Sequence, residues 1–141
     1  MGTRSLTVVV DHSWDKVTEI CVLYRQFDGY PSGHGAELKE FLDDMQIING
    51  IPGNPPKKFA NGIPCLAAQL IAHFKKDQAG SFYLHPAGTR DCGSEYVYVI
   101  SGKFREPLNL QVTKVYGDRL LYDGPVSGFN PSADYSEDEA A

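Results

Sequence analysis

The chain has 141 residues, 42% of them hydrophobic, with a formal net charge of −5. That is the size of one domain with a real core, and the acidic balance excludes broad, non-specific nucleic-acid binding, which depends on Lys and Arg neutralising phosphates. No apolar run approaches the ~18 residues of a membrane span, and Cys21, Cys65 and Cys92, odd in number and widely spaced, fit reduced thiols of a cytoplasmic protein rather than a disulfide framework.

Residues 1–6 lead directly into a β-branched segment, without the pattern of a secretory signal. Residues 4–10 and 19–25 read as two strands, and the polar stretch 11–16 between them as a hairpin connection. The run Ile20, Cys21, Val22, Leu23, Tyr24 is apolar at both alternating positions, which predicts a strand inside the sheet. Leu38, Phe41, Leu42, Met45 and Ile48 then form one stripe of a helix over about residues 35–49, stopped by Asn49 and Gly50. A proline-bearing loop, 51–58, follows. A second helix is predicted from an Asn61 N-cap, with Pro64 in its first turn and Lys75 and Lys76 at its end.

The remainder reads as β. Residues 81–85 and 95–100 are strands. In 108–116, Leu108, Leu110 and Val112 point inward, and a tight turn at Gly117 and Asp118 leads into 119–122. The order ββααββββ predicts an α+β fold: a mainly antiparallel β-sheet with two amphipathic helices packed on one face. The domain is expected to span 1–128, and residues 129–141 to form an acidic, disordered tail.

Chemistry concentrates at the strand-to-helix junction, residues 24–35. Glycines before a helix let backbone N–H groups approach an anion. The expected ligand-binding set is Tyr24, Arg25, Asp28, Tyr30, Gly33, His34 and Gly35, with Arg25 as a bidentate clamp and the tyrosines and Phe27 as walls. The pattern is neither a dinucleotide fingerprint nor a P-loop, and Asp28, Gly29, Tyr30 and Pro31 are also good turn chemistry. A second cluster lies at His85, Arg90, Asp91 and Cys92, in a loop that sheet topology could bring beside the junction. His12, His34, His73 and His85 show no metal-ligand spacing, so no metal and no cofactor are expected. Trp14 is a candidate partner anchor, and Lys57, Lys58, Lys75 and Lys76 a small basic face.

The run from Leu23 to Gly35, with its Tyr-Arg pair followed by Asp-Gly-Tyr-Pro and Gly-x-Gly, resembles a block in small uncharacterised proteins of tailed phages, prophages and environmental bacteria. The resemblance implies a viral or mobile-element context, within the cytoplasm of a host cell, and assigns no activity.

The leading expectation is a non-enzymatic mobile-element protein that binds a small anionic ligand or a host protein through residues 24–35. The alternative is a small hydrolase or transferase acting on a phosphorylated or nucleotide-like substrate, with His34 or His85 as general acid/base and Asp28 as its orienter or a metal ligand. That alternative requires the three side chains to converge. A third reading, an assembly protein, predicts a homo-oligomer that buries tyrosines of the 95–122 strands.

Overall fold

The structure, a computed structural model, describes residues 2–135. In chain order its elements are β1 (Ser5–Asp11), β2 (Thr18–Arg25), a π-helical turn (Pro31–Gly35), α1 (Ala36–Leu42), β3 (Gln46–Ile48), β4 (Phe59–Asn61), α2 (Ile63–Lys75), β5 (Phe82–His85), β6 (Tyr96–Gly102), β7 (Asn109–Lys114), β8 (Arg119–Pro125) and a 3-10 turn (Val126–Gly128). Period-two alternation makes six of these strands one sheet, in the order β5-β2-β1-β6-β7-β8. All its pairings are antiparallel except β1 with β6. The fold is therefore α+β, mostly antiparallel, as the sequence predicts. Among the described residues no helix is long and apolar enough to cross a membrane.

The strand periodicity divides β1 between two faces. Val9 joins Leu23, Tyr98, Ile100, Leu110 and Val112 in the main core, into which α1 sends Leu38 and Leu42 and α2 sends Leu66 and Leu70. Leu6 and Val8 turn to the other face and pack with Val22 and Cys92. No helix of the main core covers that face. The connection between β5 and β6 runs over it, since β5 and β6 lie on opposite sides of the β2–β1 pair.

Three local expectations are corrected. The first helix was expected to reach residue 49 but ends at Leu42. Asp44 takes a positive φ of 62°, and the Lys58 ammonium donates to the carbonyls of Glu40 and Asp43 at 2.9 and 2.7 Å. Met45 and Ile48 keep the helical spacing, but residues 46–48 instead pair in parallel with β4. The N-cap of α2 is Gly62, at φ 84°, while the Asn61 side chain accepts from the Gly50 N–H at 2.7 Å. Finally, chain expected to be tail is packed: Phe129 is buried, Tyr135 stacks on it at 6.4 Å, and Tyr135 O accepts from Arg119. A large aromatic at the end of a 3-10 turn adds enough buried area to hold this segment. The rest of the predicted tail, residues 136–141, lies outside the described residues.

Candidate functional site

β2 delivers Arg25 at its last position with the side chain on the helix-bearing face, and the guanidinium is 12% exposed. Its Nε donates to Phe27 O at 2.6 Å, Nη1 to His34 Nδ1 at 2.9 Å, and Nη2 pairs with Glu37 of α1 at 3.0 Å. The same group lies 5.1 Å from the Phe82 ring centroid, a cation–π distance. All three guanidinium nitrogens are thus used inside the fold.

His34 continues this network. It is fully buried, with Nε2 2.6 Å from Thr7 Oγ1. A guanidinium has donors only, so Nδ1 must hold the lone pair and Nε2 the proton. The imidazole is neutral: burial, and then the Arg25 charge, push its pKa down to about 3. Tyr98 closes the network, its hydroxyl donating to Gly29 O at 2.6 Å, while burial raises its own pKa.

The junction's amides are engaged as well. Gly29 N–H donates to Thr3 O at 2.8 Å, Gly33 N–H to Tyr30 O at 2.9 Å, His34 N–H to Asp28 O at 2.8 Å and Gly35 N–H to Tyr30 O at 3.4 Å. The glycines answer to packing. A Cβ on Gly29 would lie 2.7 Å from Ser5 Cβ, and one on Gly33 would meet Asp28 O. The expectation of an anion cradle built from Arg25, Gly33 and Gly35 is corrected: those donors already have carbonyl, imidazole and carboxylate partners.

His34, Asp28 and His85 do not converge as the hydrolase or transferase reading requires. Asp28 Oδ1 accepts from the Tyr30 hydroxyl at 3.3 Å, whereas both His34 ring nitrogens bind Thr7 and Arg25. His85 sits in register with Val22 on the opposite sheet face, its ring 5.9 Å from Tyr24. A strand separates the two imidazoles.

The 85–93 segment meets the junction only at Tyr24, on the sheet face opposite His34. Arg90 grips Glu19, near the start of β2, at 2.7 and 3.1 Å, and Gly88 N–H donates to the same carboxylate. The Arg90 bond holds the Glu19 carboxyl below its ordinary pKa. Cys92 packs under the loop in the second apolar cluster. Among the described residues no three His, Cys, Asp or Glu side chains gather closely enough to hold a metal. Two of the four lysines of the expected basic face are half-buried and bonded to backbone carbonyls: Lys58 on the end of α1, and Lys75 on Gly80 O and Phe82 O.

The junction turns Phe27 and Tyr30 outward, together with Asp28 and Ser32. Phe27 is 52% exposed and Tyr30 38%. Next to them Pro31 and Ser32 form one wall of a hollow of about 220 Å³, with Tyr96, Lys114 and residues 131–135 as the others. Of the tyrosines in 95–122, Tyr98 is buried and Tyr116 stands 88% exposed at the β7–β8 turn. Trp14 is exposed, its ring edge-on to Phe104 at 5.5 Å, at the far end of the sheet.

Sequence reading missed Thr7, Glu37, Tyr96 and the 131–135 wall. A signal for the first was present, since Ser5 and Thr7 are polar in an otherwise apolar strand and a buried hydroxyl needs a partner. The others join the site through pairings distant in sequence. Comparison of the chain with protein-family models, with curated proteins and with solved structures gave no match.

Proposed function

We propose that the protein is a non-catalytic binding protein that engages a polypeptide partner through the outer side of the 24–35 junction, with Phe27 and Tyr30 as anchors and the adjoining hollow as a receptor for one partner side chain. The mobile-element context implied by the sequence resemblance makes that partner a host or viral protein. The observation that carries the reading is the division of the junction into two sides. Its imidazole, all three guanidinium nitrogens and the amides of Gly29, Gly33, His34 and Gly35 are bonded within the fold, which weighs against an anion clamp built from them. Its aromatics are left outward on backbone that those same bonds hold rigid. Rigid, half-exposed aromatic anchors suit protein recognition because little side-chain entropy is lost on binding.

The test is a photo-crosslinking residue placed at position 32, the exposed Ser32 on the wall of the hollow, in the full chain expressed in its native cells. One discrete adduct, competed by unmodified protein and removed by Phe27→Ala, is the expected result. Absence of adducts at position 32, together with a small molecule retained in native mass spectrometry, would overturn the reading in favour of a small ligand.

A further inference from the structure

The junction contains a titratable group that partner binding does not use. The His34 ring is faced by Thr7 from β1, Arg25 from β2, Phe74 from α2 at 4.9 Å between ring centroids, and Tyr98 from β6 at 5.1 Å. Glu37 of α1 meets the guanidinium at Nη2, and the Tyr98 hydroxyl is spent on Gly29 O. The arrangement suits one protonation state. A proton on Nδ1 would replace the acceptor of Arg25 Nη1 with a donor. It would also set a second cation beside the first in an apolar cluster with one carboxylate to serve both, and an unpaired buried charge is strongly disfavoured.

We propose that His34 is an acid-triggered latch on the junction: proton uptake at Nδ1 breaks the link to Arg25, expels the π-helical turn from its seat against the sheet and dismantles the surface formed by Phe27 and Tyr30. The consequence for partner release rests on the binding reading above; the latch itself does not. The direction follows from linkage. The closed junction holds the ring's pKa near 3, and an opened one returns it to the ordinary histidine value of about 6.5. The opened state therefore binds the proton more tightly. Closure is fully favoured above about pH 6.5 and weakens as the pH falls toward 3, by up to about tenfold in the open population per pH unit.

The experiment is hydrogen exchange of the free, full-length protein from pH 7 to pH 4, expressed as protection factors, for the native chain and for His34→Gln. Glutamine keeps an acceptor for Arg25 and a donor for Thr7 but does not titrate. Protection of residues 26–37 should fall about tenfold per pH unit below pH 6 in the native chain, while β1 and β6 stay protected, and should stay flat in the variant. Equal slopes in the two proteins, or a whole sheet that loses protection in step with the junction, would overturn the latch. If the variant does not fold, nitrogen NMR of the native His34 ring decides: protonation must coincide with loss of protection, and titration near pH 6.5 within a closed junction refutes the proposal. A latch that opens normally while partner crosslinking ignores pH would sink the binding reading alone.

Discussion

Arg25 and Arg90 place the same chemical group on the same strand, β2, one at its end and the other against Glu19 near its start. Arg25 is 12% exposed and ties together β2, the π-helical turn and α1. Arg90 is 44% exposed and pins one loop to one carboxylate. Both pairs have good geometry, so distance does not separate them. Burial of the arginine does, because water screens and replaces the contacts of the exposed Arg90, while the less exposed Arg25 also holds a carbonyl and an imidazole inside the fold. The richer-looking motif is thus the more structural one, and the donors it offered to a ligand hold the corner together.

Substitutions along this contrast should fall in a definite order. Arg25→Ala strands His34 Nδ1 and removes three charge-assisted contacts, so it should cost about 2–4 kcal/mol in urea unfolding. A loss under about 1 kcal/mol would mean the corner stands without the arginine. Gly29→Ala drives a methyl into Ser5 and should cost about 1–3 kcal/mol, read as a lowered melting temperature; an unchanged melting temperature would show that β1 can yield. Phe27→Ala and Tyr30→Ala should stay within about 1 kcal/mol of the native protein while abolishing partner capture. Loss of both fold and capture would fuse the two sides of the junction that we separate.

Arg90→Ala should have the smallest effect, about 0–1 kcal/mol. Its signature lies in pH. The Glu19 carboxyl is lowered chiefly by the Arg90 bond, so its contribution is present above the ordinary carboxylate range and is lost as the pH falls through the depressed value. In the variant that acid dependence should vanish, and carboxylate NMR titration would detect its survival.

Particular residues show where sequence patterning sufficed. Leu108, Leu110 and Val112 alternate as they should, and all three are buried. The chain turns where expected, over residues 115–118, with the Asp118 N–H on Val115 O and positive φ at Gly117 and Asp118, 84° and 49°. Such features are encoded within a few residues. Met45 and Ile48 misled because helical spacing continued past Leu42, while the stop depended on Lys58, distant in sequence, reaching the carbonyls of Glu40 and Asp43. At the junction the dense composition marked either an over-determined turn or a site, and residue types alone could not say whether Arg25 faced a ligand or Glu37.

The sequence by itself determined the order of the six main-sheet strands and the two helices, the inward faces and the position of the unusual turn, though not the β3–β4 pair, because periodicity and turn chemistry are local. Tertiary structure alone decided which way the junction's polar groups point, that His34 and His85 lie on opposite sides of the sheet, and that Phe27 and Tyr30 are left outside. Those outcomes depend on partners such as Thr7, Glu37 and Tyr98, which only the closed sheet and its packed helices bring within hydrogen-bonding distance.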